Sequence, residues 1–338
     1  MPSYSIGVDL GGTNLRIAAV DDRGTLLEKT TIGTQVSLGR ESVIREMVGA
    51  IHGLSANLHG AGELMGIGIG IPGIIDKDTG LLRESPNLPG WSDFPVAEEI
   101  QRLLGKPVIV ENDANVAALG EKWLGAARDF KSMCMLTLGT GVGGGLVLDN
   151  KIWQGMNGMA GELGHLAVDP DGVACNCGSH GCVEQYASAT AVVRMAHEAI
   201  RAGKAPSLEH ALKEYRDKFS AKVVFMLAQE GDEPSRAIFE RVGSALGIVI
   251  AAIVNALNLP IFLVGGGVAA AWPVFAPAMF KEVKRRSFVY VATAPDPDAP
   301  QPQRKRTIIA QALLGSDAGL FGAARLPMLL ATEAVAVK

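Results

Sequence analysis

Residues 4–20 read YSIGVDLGGTNLRIAAV, and this stretch decides the fold because its pattern returns further along the chain. Tyr4–Asp9 is an apolar strand, Leu10-Gly11-Gly12-Thr13-Asn14 is a glycine turn, and Leu15–Val20 is a second strand. Asp22-Arg23-Gly24 then turns the chain into Thr25–Ile32. The same order recurs at Met133: apolar Cys134–Leu138, the turn Gly139-Thr140-Gly141-Val142-Gly143-Gly144-Gly145, Leu146–Leu148, and the turn Asp149-Asn150-Lys151. Laid over the first copy, Leu10-Gly11 falls on Leu138-Gly139 and Asp21 on Asp149. A weak internal duplication with helices after each copy predicts two α/β domains facing a cleft.

Between and beyond the copies, apolar spacing at Val43, Ile44, Met47, Val48 and Ile51 predicts a helix over about 41–58. A strand at Leu64–Ile71 ends in Pro72-Gly73, and the loop Ser85–Gly90 leads to a helix near 95–104. The strand Pro107–Val110 runs into Glu111-Asn112-Asp113, where a new helix begins. The second half reads as helices over 187–202, 207–229 and 235–257, a strand at Ile261–Val264, a strand near 307–311 and a helix near 317–330. Ala294–Arg306, with four prolines, reads as a surface loop.

At 338 residues the chain exceeds the ~100–200 residues of one domain. A content of 48% hydrophobic and 20% charged residues with a net charge of −4 is a globular balance, without the basic excess that nucleic acid or anionic membrane would attract. MPSYSIGVDL carries no secretory signature, so a cytoplasmic protein is expected. Arg241 to Lys281 contains no charge between its ends, but Asn255, Asn258, Pro260 and Gly265–Gly267 interrupt it. No apolar run is expected to reach the ~20 residues of a membrane span.

Glycine turns bring backbone N–H groups close to a ligand, and phosphate is the ligand they most often cradle. Each turn also has a threonine, Thr13 or Thr140. Asp9, beside the first turn, is a candidate to hold Mg²⁺ through water or to cap the turn. Neither turn has the spacing of a Walker loop. Gly68, Gly70 and Gly73 match the dinucleotide pattern, but no helix follows, so close backbone approach in a core strand explains them better. Asp113, at the end of an apolar strand, is either a base for a substrate hydroxyl or a helix cap. His165, Cys175, Cys177 and Cys182, with the cysteines spaced C-x-C-x₄-C, can close a tetrahedral zinc site with no open position, hence a structural one. His180 is the competing ligand, and Cys134 is expected in the core.

These segments together resemble the bacterial glucokinases of the ROK family, within the actin/hexokinase/Hsp70 superfamily. The likeness runs from Asp9-Leu-Gly-Gly-Thr13 to Gly265-Gly-Gly-Val268, and its most specific part is Cys175–Ser188, CNCGSHGCVEQYAS. It also takes in Gly66–Gly73, Pro86–Trp91, Glu111–Asn115 and Leu138–Gly145. The resemblance implies two actin-like (ribonuclease H-like) domains flanking a cleft. A small α/β domain would cover 1–117, completed by a C-terminal helix at about 317–330, and a large one 118–316, with a zinc module at 161–184.

It further implies ATP-dependent phosphorylation of a hexose, glucose first. Asp113 would be the general base, and Gly73, Asn112, Glu162, His165 and Glu184 would contact the sugar. Gly11, Gly12, Thr13, Gly139, Thr140 and Gly141 would surround the phosphates, Asp9 would serve Mg²⁺, and Gly265, Gly266 and Gly267 would approach the adenosine. His165 would serve zinc with one ring nitrogen and sugar with the other. A homodimer or homotetramer is expected, with neither nucleic acid nor membrane as partner. The same family holds kinases of N-acetylmannosamine, N-acetylglucosamine and fructose, polyphosphate users, and sugar-sensing regulators with an N-terminal helix-turn-helix. The first strand starts too near Met1 to leave room for that helix-turn-helix. Glycine, 41 of the residues against a usual ~7%, concentrates at 7–12, 66–73, 139–145, 155–181 and 265–267, where backbone is expected to approach ligand or metal.

Overall fold

The computed structural model describes residues 3–60, 62–85, 87–296, 298 and 305–336, with side chains described through residue 331. Pro86 and most of the proline-rich loop 294–306 lie outside the described residues. The chain divides into two compact units, one of Met1–Met133, Gly145–Gly161 and Leu313–Lys338, the other of Cys134–Gly144 and Glu162–Ala312.

The chain begins with β1 (Ser3–Leu10), β2 (Asn14–Asp21), β3 (Leu26–Gly33), α1 (Arg40–Asn57) and β4 (Glu63–Ile71). The hairpin β5 (Ile74–Ile75) and β6 (Leu82–Glu84), α2 (Val96–Leu104), β7 (Val108–Asn112) and α3 (Asp113–Trp123) follow. Next come β8 (Met133–Leu138), β9 (Val142–Leu148), β10 (Lys151–Ile152), α4 (Glu184–Ala187), α5 (Ala189–Arg201), α6 (Pro206–Tyr215), α7 (Ala221–Glu230) and α8 (Glu233–Leu257). The chain ends with β11 (Ile261–Gly265), α9 (Trp272–Arg286), α10 (Phe288–Thr293), β12 (Ile308–Gln311) and α11 (Ala318–Ala336).

Two five-stranded sheets share one plan, with orders β3-β2-β1-β4-β7 and β10-β9-β8-β11-β12. In the first, β1 to β3 form an antiparallel meander, and β4 and β7 add in parallel. In the other, β10 pairs antiparallel with β9, while β11 lies parallel to both β8 and β12. The repeat visible in the sequence is thus a repeated strand order.

Strand β4 shows how the first unit packs. Successive side chains of a strand point to opposite faces. Ile67, Ile69 and Ile71 are fully buried in one cluster with Ile6, Val8, Val43, Met47 and Ile51. The intervening glycines face two helices. A Cβ at Gly68 would lie 1.9 Å from the Ala323 carbonyl oxygen, one at Gly7 2.2 Å from that of Leu320, and one at Gly70 2.5 Å from Cγ2 of Val116. Helices α3 and α11 meet in the same manner, since a Cβ at Gly120 would lie 2.1 Å from the Ala318 oxygen. The close backbone approach expected of Gly68 and Gly70 in a core strand is what the structure shows, and only for Gly7, Gly68 and Gly70 does the expectation of glycine gathered for ligands give way. Gly7, Gly68 and Gly70 seat α11 and α3 on the sheet.

Other differences have local causes. Residues 207–229 form two helices, not one, because Arg216 takes a φ of 49° after α6. Helices α9 and α10 occupy a stretch for which no element was expected, α9 carrying one proline in its first turn and another, Pro277, inside it. Helix α8 has 25 residues and is long and apolar enough to span a membrane, contrary to expectation, but 67% of its most apolar window is buried within the protein. Gly243 and Gly247 of α8 admit the backbone of α9, at Phe275 and Met279.

Candidate functional site

In the first unit, the site candidates lie at the carboxyl ends of β1, β4 and β7, where open α/β sheets gather ligands. Gly11 N–H donates to the Asn14 carbonyl at 2.9 Å, closing the first glycine turn, and Thr34 N–H donates to the Thr13 carbonyl at 2.8 Å. Gly12 and Thr13 are exposed. Asp9 does not cap this turn. Its Oδ2 lies 2.6 Å from the Arg16 guanidinium across the β1–β2 ladder, and Arg16 also donates to the Ser316 carbonyl. Burial pushes the Asp9 carboxyl above its ordinary value, Arg16 opposes the shift, and Asp317 adds to it.

At the β7–α3 junction the cap is Asn112 rather than Asp113. Asn112 has extended backbone, with φ −60° and ψ 142°, and its Oδ1 accepts the N–H groups of Ala114 at 2.9 Å and Asn115 at 3.2 Å. Its Nδ2 donates to the Gly73 carbonyl at 3.0 Å, which brings Gly73, Asn112 and Asp113 together. Gly73 has a φ of 134°, and a Cβ there would lie 2.3 Å from the Glu84 carbonyl oxygen. Asp113 is the first residue of α3, half-buried, with Oδ1 accepting the Ala114 N–H at 2.9 Å.

The second unit holds the His/Cys cluster. One ligand atom from each of His165, Cys175, Cys177 and Cys182 lies within 4.8 Å of the others. His165 Nδ1 is 3.7 Å from Cys175 Sγ, and Cys177 Sγ is 3.7 Å from Cys182 Sγ. Tetrahedral zinc with ordinary bond lengths requires edges of about 3.8 Å between sulfurs and about 3.6 Å between nitrogen and sulfur. The donor set and its spacing therefore fit such an ion. The turn is built for this, with Cys175 N–H donating to the Ser179 carbonyl at 2.8 Å and Gly178 N–H to the Cys175 carbonyl at 3.0 Å. Burial and the neighbouring thiols push the Cys182 thiol up to about 12. Hydrogen bonding, first from the Ser179 backbone, lowers that of Cys177. His180 is exposed and paired with Ala174 in a β-bridge, outside the cluster. Cys134 is buried in β8, and burial pushes its thiol up to about 12.

Around this cluster the second unit gathers further candidates. His165 Nε2 lies 3.9 Å from a Glu162 carboxylate oxygen. Burial holds the Glu162 carboxyl above its ordinary value, with His165 opposing and Glu184 adding. Glu184, at the start of α4, accepts the Val142 N–H on Oε2 at 2.9 Å. A Cβ at Gly141 would lie 2.4 Å from that same oxygen. The second glycine turn closes by Gly139 N–H donating to the Gly141 carbonyl at 2.9 Å, and Thr190 Oγ1 donates to the Thr140 carbonyl at 2.8 Å. The third turn adjoins it: Gly265 pairs with Thr137, and a Cβ at Gly266 would lie 2.5 Å from the Leu138 carbonyl oxygen. Gly267 has open space around it.

A profile of the ROK family matches residues 5–328. The chain belongs to the ROK family. It is 39% identical over 320 residues to a glucokinase of Thermotoga maritima, covering 94% of this chain and 95% of that protein. Among solved structures it is similar to a ROK hexokinase from Thermus thermophilus, with a TM-score of 0.77, 31% identity, and coverage of 98% of this chain and 99% of that one. It is also similar to a ROK family glucokinase from Streptomyces griseus in complex with glucose and AMPPNP, with a TM-score of 0.77 and 32% identity, covering 96% of this chain and 98% of that one.

Three residues of this ROK chain surround the candidates without having been singled out by sequence. Arg16 neutralises Asp9, Glu111 receives the Asn112 N–H at 2.9 Å, and Gln154 donates to Glu111 at 2.5 Å. Arg16 has a signal that hindsight can use, because it faces Asp9 across a two-stranded ladder whose turn is short. Gln154 has none, since 42 residues separate it from Glu111 along the chain.

Proposed function

We propose that this ROK chain is a hexose kinase that transfers the γ-phosphoryl group of ATP to the terminal hydroxyl of D-glucose. The observation that carries the reading is the position of Asp113, a carboxylate opening α3 at the end of a parallel strand with Asn112 supplying the N-cap beside it. The likeness to glucokinases over nearly the whole chain supports the choice of substrate.

Phosphoryl transfer asks mainly for positioning, charge neutralisation and one base. Asp113 takes the proton of the terminal hydroxyl as the sugar oxygen bonds to the γ-phosphorus. The bond from that phosphorus to the β,γ-bridging oxygen breaks, and the electron pair leaves with ADP. Asn112, whose Nδ2 carries a second N–H beyond the one given to Gly73, would orient a sugar hydroxyl, together with Gly73, Glu162, His165 and Glu184. Gly11, Gly12, Thr13, Gly139, Thr140 and Gly141 would line the phosphates, and Gly265, Gly266 and Gly267 the adenosine. Asp9 would hold water on the Mg²⁺ that accompanies ATP.

His165, Cys175, Cys177 and Cys182 would hold zinc, which with four protein ligands supplies order rather than an open Lewis-acid position. His165 would bind it through Nδ1, the ring nitrogen 3.7 Å from Cys175 Sγ, which would leave Nε2 to a sugar hydroxyl with its tautomer fixed. The same reading expects two actin-like domains, a cytoplasmic location and a homodimer or homotetramer, the last checked by light scattering.

The test is ADP release with Mg·ATP across glucose, mannose, fructose, N-acetylglucosamine and N-acetylmannosamine. Glucose should give the highest kcat/KM, and release only with N-acetylmannosamine would overturn the substrate assignment. Asp113→Asn should lower kcat by about 10²–10⁴-fold while glucose still binds. Undiminished turnover in that variant would remove Asp113 as base.

A further inference from the structure

We infer that Glu111 is a positioning residue for Asp113, held at its setting by the side-chain amide of Gln154. The inference rests on the hexose-kinase reading and gives a task to a residue that reading leaves idle.

Glu111 is only 6% exposed, in β7 opposite Gly70 of β4. Its Oε1 accepts two hydrogen bonds, from the backbone N–H of Asn112 at 2.9 Å and from Nδ2 of Asn115 at 3.0 Å. Its Oε2 accepts the third, from Nε2 of Gln154 at 2.5 Å. All three donors are neutral. Burying a carboxylate among neutral donors is costly, and a glutamine of the same shape would escape much of that cost. A glutamine, however, would keep an oxygen toward Asn112 and Asn115 and set a donor against Gln154 Nε2, so Gln154 would have to turn its amide over to meet it. As the donors stand, three inward-pointing N–H groups meet two acceptor oxygens, and the carboxylate holds the Gln154 amide in one of its two orientations.

The consequence falls on Asp113. The N–H of Asn112, ahead of it, and the side chain of Asn115, one half-turn behind it, end on the same oxygen. Asn115 is 2% exposed, and its Oδ1 has no hydrogen-bond partner among the described residues, so the bond to Glu111 is what fixes its amide. The first turn of α3 can neither rotate nor slide without stretching both bonds. Gln154 completes the clamp from a braced loop. Its carbonyl accepts the Ala160 N–H at 3.1 Å, and a Cβ at Gly158 would lie 2.3 Å from the Ile75 carbonyl oxygen, so the loop rests on the β5 backbone. Moving Gln154 frees Oε2, lets the carboxylate turn, and releases the helix turn that carries the base.

The experiment is steady-state kinetics with glucose and ATP varied separately, on the full chain, for Gln154→Leu, Glu111→Gln and the double variant Glu111→Gln/Gln154→Glu. Gln154→Leu should lower kcat by about 10- to 100-fold, the range expected when a reacting group is misplaced by an ångström or less, and Glu111→Gln by less, because the Gln154 amide can turn to meet it. KM for ATP should stay within about twofold, because the disturbance is confined to the base. The double variant should recover most of kcat, since the amide at 111 keeps its oxygen toward Asn112 and Asn115 and turns its N–H to the new carboxylate. Unchanged kcat in both single variants overturns the inference. So does a loss of kcat matched by equal losses of ATP affinity and thermal stability, or a double variant no better than Gln154→Leu. Should Glu111→Gln fail to fold, Gln154→Leu decides alone, because its side chain is only half-buried. A parent chain that releases no ADP with any sugar defeats the hexose-kinase reading itself, an outcome visible before any variant is compared.

Discussion

Replacing Gly141 by alanine tests whether Glu184 serves the sugar. The φ of Gly141 lies outside the left-handed region, so alanine meets no backbone strain there. Its new methyl carbon would sit 2.4 Å from Glu184 Oε2, where ordinary contact needs about 3.4 Å. The carboxylate must therefore withdraw by about an ångström, and it loses the 2.9 Å bond from the Val142 N–H. A site group displaced by about an ångström costs about 10- to 100-fold in turnover or affinity. Because the obstructing atom ends a flexible side chain, the global fold should lose under about 1 kcal/mol. Gly141→Ala should thus raise KM for glucose or lower kcat/KM for glucose by that factor, with a Tm close to the parent. Adding Glu184→Asp, which shortens the side chain, should relieve the clash and recover part of the loss. An unchanged glucose KM with a raised ATP KM would refute the reasoning, because it would place the residue's effect on the nucleotide alone.

The remaining predictions concern the frame around the site. Gly68→Ala puts a methyl 1.9 Å from the Ala323 oxygen and should destabilise the first unit by about 1–3 kcal/mol, read as a lower Tm by calorimetry; an unshifted Tm would show that α11 is not seated there. Metal analysis should find about one zinc per chain, and chelation should lower both Tm and glucose affinity reversibly, whereas a chain indifferent to complete chelation would reject the site. Asp76 is held below its ordinary value of 3.8 by hydrogen bonds from the Thr79 side chain and backbone, with Arg83 assisting. A depressed carboxyl contributes stability that is present above 3.8 and lost as pH falls through the folded value, so Asp76→Ala should lower Tm at neutral pH but not in strong acid. A deficit that persisted unchanged in acid would sink that account.

What the sequence made legible was whatever lies close along the chain. The strand, glycine turn and strand of Tyr4–Val20 and Met133–Leu148 became two sheets of one order, because a hairpin is specified by neighbours. The C-x-C-x₄-C spacing became a cluster of ligand atoms, since a tight turn brings such cysteines together whatever surrounds them. Asp113 was placed at the head of a helix as either base or cap, and the structure gives the cap to Asn112. Whether residue 112 or 113 caps α3 depends on which one holds the extended backbone angles, and that is set where β7 ends in the sheet. The clamp of Glu111 by Gln154 had no local sign at all, because it joins segments whose meeting is decided by packing.

The glycines sharpen the same point. In Gly66-Ile-Gly-Ile-Gly-Ile71 the glycines alternate with isoleucines, and a strand must place the two sets on opposite faces. The isoleucines fill the cluster with α1, while Gly68 and Gly70 lie under α11 and α3 at distances no side chain allows. Gly141 excludes a side chain for a different reason, since what it would strike is the carboxylate of Glu184. The two kinds cannot be told apart by composition, but substitution separates them. A methyl at Gly68 meets the main chain of a helix, which cannot yield cheaply, and the cost appears in stability. A methyl at Gly141 meets a movable side chain, so the fold absorbs it and the cost appears in turnover. A glycine whose replacement leaves Tm alone and damages kinetics is therefore one that the ligand site, and not the core, requires.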